Sequence, residues 1–379
     1  MTFGGLMPES AKILPFRARP GVVSCPREEA AARAKRYLAT PATERSVELR
    51  DSALADGDVL TALLSHLWEV INTTPAAVSS EAPEIYKWLS SRDERQFFFD
   101  ERDYFLGESA LLAGASLRLL GRREDTERWL DRSDASFRHT VAPVAHLARV
   151  SYTRLTLRYD MHRHDDLLEL VPSLALTFKK LGMQNDFAKC EFLHAMSLKE
   201  LGRVEEAAEL LERLAVGQDS RVDSALAGMA LVNLGNLRSE QELFEEATRA
   251  YTQAAPLLQK ADRHSALADL KLMLAGTLQR TGNLTAAVEA FRESVNDHET
   301  LGMATRAAYG RLFLAGALLE AQRPREAEWE ILAALPVIDE QQMAPEGATA
   351  VALLRESVRQ RKTDPRVLLE LRRYLQARG

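Results

Sequence analysis

Four alanines, Ala207, Ala247, Ala287 and Ala327, recur 40 residues apart on amphipathic segments, three of them directly after a glutamate. A fixed period of this length means one helical unit stacked repeatedly, with no single core and no single cleft for chemistry. The unit is clearest in the second half. Residues 190–214 read CEFLHAMSLKELGRVEEAAELLERL, and the segments 230–254, 270–294 and 310–334 follow the same plan. Each holds an apolar-periodic helix, a short break at Gly202, Glu242, Gly282 or Gln322, and a second helix with a small residue five positions on. A large side chain comes four residues after each alanine: Leu211, Tyr251, Phe291 and Ile331. The turns between units share the phase, because Leu181-Gly182-Met183 returns as Leu301-Gly302-Met303.

This pattern resembles the tetratricopeptide repeat superfamily: a small residue late in helix A, a Gly-containing turn, Ala early in helix B, then a large residue. Gly235 and Gly114 match the first small position. The reason is steric, since a larger side chain where helices A and B cross would force their axes apart. The resemblance implies an all-α fold, a right-handed α-solenoid or superhelix of antiparallel helix pairs. The family's usual unit is shorter, so the extra residues are expected to lengthen the helices and the inter-repeat corner.

Projected backward, the period finds a unit at 104–138 with its break at Gly121 and Trp129-Leu130 in the large position. Thr126 stands in the alanine slot, which points to looser packing there. Residues 144–180 form a weaker unit whose break, MHRHDD, lacks glycine and whose second helix contains Pro172. Residues 57–92, with Trp68 and Trp88, supply an atypical helix pair. The expected division is a flexible arm at 1–25, a divergent helical cap at 26–98, repeats at 99–340 and a capping helix pair at 341–379. The arm carries Pro8, Pro15 and Pro20 without periodicity, with Ile13-Leu14-Pro15-Phe16 as a possible apolar anchor; Cys25-Pro26 then opens a helix with early Glu28 and Glu29.

Composition excludes several classes of function. The formal net charge is −6, so no global field attracts nucleic acid or an anionic membrane. Only residues 351–379 are basic, which fits a solvated face on the terminal helices or a docking patch for an acidic partner. No stretch is apolar enough to span a membrane, and the N-terminus lacks a signal peptide's apolar run. Two cysteines, Cys25 and Cys190, offer no disulfide framework and read as reduced thiols of a cytoplasmic protein, Cys190 buried and Cys25 at least partly exposed.

Chemistry is sparse. No phosphate loop, nucleophile elbow or zinc-protease motif is present, and no cofactor is expected. The densest polar cluster, Asp160 to Asp166 with His162 and His164, falls at a turn between helices, so no metal is expected and Asp165 or Asp166 serves as a helix N-cap. In tetratricopeptide folds helix A lines the concave groove. Aligning on the alanines places Arg149, Tyr152 and Tyr159 there from one repeat, then Lys189, Phe192 and Met196, then Asn233 and Asn236, then Gln279 and Arg280, then Tyr309. Asn233 and Asn236 either clamp a peptide backbone or satisfy neighbouring helix backbone. A carboxylate clamp is not expected, because Phe192 and Asp269 flank this position where basic residues would be needed. The aromatic residues either floor a groove or pack repeats together. The resulting expectation is a non-catalytic scaffold binding a peptide or helix of a partner protein. The alternative is a ligand- or signal-peptide-responsive regulatory domain acting with a transcription or signalling partner.

Overall fold

The computed structural model describes residues 25–360 except 41–43, 45–46, 95–96, 98–100, 217–222 and 342. Among the described residues there are seventeen α-helices and no strand. The chain divides into two compact units, Met1–Ala207 and Ala208–Gly379, and the division falls inside helix α10, Val204–Val216. The expected arm at 1–24, and the part of the C-terminal cap and basic tail beyond 360, lie outside the described residues.

The first unit opens with α1 (Arg27–Ala39), α2 (Val47–Leu54), α3 (Gly57–Val70) and α4 (Pro75–Ser90). Glu28 and Glu29 fall in the first turn of α1, where the helix dipole favours carboxylates. Asp56 caps α3 by accepting from the amides of Asp58 and Val59, and it also takes Arg33 of α1 at 2.6 Å. One carboxylate thereby starts one helix and ties it to another. Trp68 and Trp88 are both buried in this unit's core, on the α3 and α4 pair. Next come α5 (Glu101–Leu119), α6 (Arg123–Phe137), α7 (Pro143–Asp160), α8 (His164–Lys180) and α9 (Gln184–Glu200). Helix α5 is buried continuously from Phe105 to Arg118, and apart from Glu108 and Arg118 this stretch is apolar or small on every side.

The second unit holds α11 (Ser224–Glu240), α12 (Phe244–Lys260), α13 (His264–Arg280), α14 (Leu284–Thr300), α15 (Ala304–Glu320), α16 (Pro324–Glu340) and α17 (Ala344–Gln360). Each of these is 17 residues long. Consecutive helices are joined by three-residue links such as 241–243, 261–263 and 301–303. The 40-residue unit is therefore two equal halves of about 20. The corner between repeats is no longer than the turn within one, contrary to the expectation of a lengthened corner. All the additional length lies in the helices.

One backbone device makes both kinds of turn. After α5, α7, α8, α9 and α11 to α15 a single residue enters the left-handed region: Gly121, Gly182, Gly202, Gly282 and Gly302, but also His162, Glu242, Asp262 and Gln322, with φ between 52 and 79°. Its amide and the next residue's amide bond back to the last helical turn. At 282, for example, Gly282 N–H donates to Gln279 and Asn283 N–H to Leu278, both at 2.9 Å. This is the Schellman cap, which satisfies carbonyls left open at a helix end and reverses the chain at once. The breaks at Gly202, Glu242, Gly282 and Gln322 all occupy this position.

The small residues do what the crossing argument requires. A Cβ on Gly235 would stand 2.5 Å from the Tyr251 ring, and one on Gly114 would stand 3.0 Å from Leu130. Ala207, Ala247, Ala287 and Ala327 are fully buried, and so are the large partners Leu211, Tyr251, Phe291 and Ile331. Burying each large side chain contributes about 1.5–3 kcal/mol. Thr126 does not loosen its crossing. It is completely buried, its hydroxyl donates to the Arg122 carbonyl at 2.9 Å, and a Cβ on Gly114 would stand 3.4 Å from the Thr126 carbonyl oxygen, so the two helices stay close there. Pro172, Pro256 and Pro336 sit within continuous helices on exposed positions, where the carbonyl each one frees is hydrated.

Two predictions follow from the caps and the crossings. The left-handed conformation costs an L-residue about 1 kcal/mol or more that glycine avoids. Gln322→Gly should therefore raise stability by about 1 kcal/mol in urea unfolding followed by far-UV circular dichroism. An unchanged or lower midpoint would mean the turn is not held in that conformation. The second concerns Tyr251, whose hydroxyl donates to Asn236 Oδ1 at 2.8 Å. Burial pushes its phenol up to about 12. A pKa raised above the unfolded value of roughly 10 stabilises the fold below that pH, and the contribution is lost as pH rises toward 12. Stability should fall over that interval, and Tyr251→Phe should make the fall shallower.

Candidate partner-binding face

Within each unit, neighbouring A helices are tied to one another by side chains about one repeat apart. In the first unit, Trp68 Nε1 donates to Glu108 at 3.3 Å, 40 residues away, and Arg149 reaches the same carboxylate with both guanidinium nitrogens from 41 residues away. Arg118 pairs with Asp160 at 2.5 Å, and Tyr159 donates to Glu200 at 3.4 Å. In the second unit, Gln279 donates to Glu320 at 2.7 Å and Arg280 to the Ser239 carbonyl at 2.8 Å, each 41 residues apart. The sequence period thus reappears as a ladder of hydrogen bonds across parallel A helices.

That ladder decides what the residues selected from the sequence do. Arg149 is buried, with Glu108 completely so; burial works against its charge, but the Glu108 carboxylate outweighs this and holds the guanidinium above its ordinary range. Tyr152 is buried between helices, and burial pushes its phenol up. Lys189 is only 2% exposed and lies 3.2 Å from Asp186 in the turn before it. Phe192 and Met196 are buried in the core. Asn233 bonds the Met229 carbonyl of its own helix at 2.8 Å, and Asn236 accepts from Tyr251, so both amides are engaged inside the protein. Arg280 is exposed, yet its guanidinium leans over the Phe244 ring at 4.8 Å and toward Glu242. Tyr159 is partly buried beside His164.

Gln279 and Tyr309 come together. They border a cleft of about 420 Å³ on the A-helix side of the second unit, between α13, α15 and α17. Its other walls are Leu312, Phe313 and Gly316 of α15 with Pro345, Glu346, Thr349 and Leu353 of α17. Tyr309 and Phe313 are each 41% exposed, and their rings meet edge-on at 4.7 Å. Phe313, Gly316 and the α17 residues are absent from the sequence-derived set. One signal pointed to them: Gly276 and Gly316 stand 40 residues apart, each within a helix, in the slot that Asn236 fills one repeat earlier. A Cβ on either would meet nothing within 4 Å, so no internal packing demands a glycine there.

The tempting chemical groups have ordinary places. His162 is the left-handed cap residue, and burial lowers the pKa of His164. Asp165 and Asp166 are not N-caps as expected. Helix α8 begins at His164, so both lie in its first turn, and Asp166 pairs with Arg163 at 2.6 Å. Among the described residues no group of three His, Cys, Asp or Glu is arranged to hold a metal ion. Cys190 is fully buried, and burial pushes its thiol pKa up, away from reactivity. Cys25 is partly exposed. No described helix is long and apolar enough to cross a membrane.

No protein-family model matches the sequence, and no curated protein matches it. Solved structures do match in fold. A Rap protein complexed with competence and sporulation factor is 13% identical, with 89% of this chain and 100% of that one covered and a TM-score of 0.52. The Rap conjugation gene regulator of plasmid pLS20, in complex with the Phr* peptide, is 14% identical over 93% and 98% of the two chains, with a TM-score of 0.51. A signal transduction ATPase with a tetratricopeptide repeat sensor from Pyrococcus horikoshii is 14% identical, covering 86% of this chain and 55% of that one, at a TM-score of 0.54. At these identities the likeness is one of architecture: the chain has the tetratricopeptide-like fold, an all-α solenoid of antiparallel helix pairs.

Proposed function

We propose that this chain is a non-catalytic interaction protein that holds a peptide segment or helix of a partner against the A-helix face of its second unit. The observation that carries this reading is the α13–α15–α17 cleft with two exposed, contacting aromatic rings. Most other large A-helix side chains are consumed by packing, whereas Tyr309 and Phe313 stand together in an open recess of a size suited to ligand side chains. Stacked helices present such a recess ready-made, so little ordering cost falls on the scaffold. Two of the fold neighbours are described in complex with a peptide or with competence and sporulation factor, which supports the same use of the architecture here.

A regulatory reading is supported by a separate observation, the likeness to a tetratricopeptide sensor joined to a signalling ATPase. In that reading the bound segment is a signal, and the output belongs to a partner or a further domain. Both readings place the partner in the same cleft, in a cytoplasmic protein that contacts neither nucleic acid nor membrane directly.

Selection of a random-peptide display library on the purified protein, with fluorescence anisotropy of the enriched sequences, tests the proposal. Phe313→Ala and Tyr309→Ala should each weaken binding by about tenfold or more, since truncating an aromatic anchor costs roughly 1–3 kcal/mol. Failure to enrich any sequence, or affinities untouched by both substitutions, would overturn it.

A further inference from the structure

The cleft has a direction. Tyr309, Phe313 and Gly316 follow one another at i, i+4 and i+7 along α15, and Pro345, Thr349 and Leu353 do so at i, i+4 and i+8 along α17. Both walls thus run along the helix axes for about 10–12 Å, two turns at 1.5 Å per residue. An extended peptide laid in this trough would need hydrogen-bonding groups for its backbone. The walls offer few, because the backbone of both helices is bonded internally and the Gln279 amide is already given to Glu320. A helix brings its backbone satisfied and needs only apolar side chains and room. The room is at Gly316, where a helix former would be worth about 1 kcal/mol more than glycine, yet the space above is left open.

The charge on the trough's walls has one sign. Glu346 is the sole charged residue among its walls, and Glu320 stands beside it on Gln279. The cations of α13 and α15 are committed elsewhere, Lys271 to Glu293 and Asp297, Arg280 to Ser239 and Glu242, Arg306 to Asp269, and Arg311 to Glu299 and Glu330, while the exposed Arg355 and Arg359 of α17 come after Leu353, the last wall residue of that helix. Among the described residues no cation is paired with Glu346. An occupant carrying Lys or Arg beside its apolar stripe gains these two carboxylates, and an acidic one is repelled by them.

We infer that the occupant of the α13–α15–α17 cleft is a cationic amphipathic helix, seated with a large apolar side chain over Gly316 and its basic flank toward Glu346 and Glu320. This rests on the partner-binding reading above and narrows it to one chemistry.

Fluorescein-labelled synthetic peptides of about 18 residues, long enough to be helical when bound, serve as probes. One combines a Leu stripe with Lys flanks, a second replaces Lys by Glu, and a third places Pro at the centre of the Lys version. The Lys peptide should bind, and the other two should bind at least about tenfold more weakly. Gly316→Leu fills the seat and should abolish binding, while Gly316→Ala, which only strengthens the helix, controls for folding by circular dichroism. Glu346→Lys should shift the preference toward the Glu peptide. Equal affinity for both charges, no loss on insertion of Pro, or full binding to Gly316→Leu would overturn the inference. If library-selected peptides bind through Phe313 while none of the helical probes binds, this inference fails and the broader proposal stands. If neither binds, both fail.

Discussion

A single left-handed residue after α5, α7 to α9 and α11 to α15 governs how the repeats are built. Two backbone bonds close the helix, and the chain turns back within three residues, at glycines and at His162, Glu242, Asp262 and Gln322 alike. Recurring about every 20 residues, the cap leaves 17 for each helix of the second unit. Equal helices with equal turns place the same positions opposite one another in every pair. Small residues then meet large ones, as Gly235 meets Tyr251, and A-helix side chains meet partners one repeat away. Four non-glycine residues tolerate an unfavourable conformation because the two returned hydrogen bonds and the packing beyond the turn determine it.

The A-helix face is used differently in the two units. In the first it is filled by charge. Glu108 is completely buried, and Arg149 and Trp68 satisfy it from the helices on either side. Removing one member would leave an uncompensated buried charge, so this cluster specifies how its helices stack. In the second unit the same face is lined by Tyr309, Phe313 and Gly316, which do not close it. The recess is the part of this face that the A-helix contacts leave open, and for that reason we propose it as the seat for another molecule's side chains.

Much of the architecture was legible in the sequence because steric demands repeat. The alanine period located the crossings, the breaks fell on the cap residues, and Gly235 and Gly114 marked close helix approach. The half-period was harder to see, since the turn position accepts histidine, glutamate, aspartate and glutamine as well as glycine. Thr126 misled because a buried threonine whose hydroxyl is bonded to its own helix packs at a crossing as an alanine does. The site was less legible. Arg149 and Lys189 read as groove residues because nothing local shows that Glu108, 41 residues away, or Asp186, one turn away, will claim them. Asn233 and Asn236 likewise found internal acceptors and donors. The cleft draws on α17, beyond the clearest repeats, and on Gly316, whose meaning rests on an empty volume that a sequence does not display.

The central claim is that the open A-helix face of the second unit receives the partner. Amide hydrogen exchange of the full chain, with and without a saturating bound peptide, tests it most directly. The account requires added protection in α15 and α17, concentrated near Tyr309–Gly316 and Pro345–Leu353, with α14 and α16 unchanged. Protection confined to α14 and α16, or to the first unit, would contradict it.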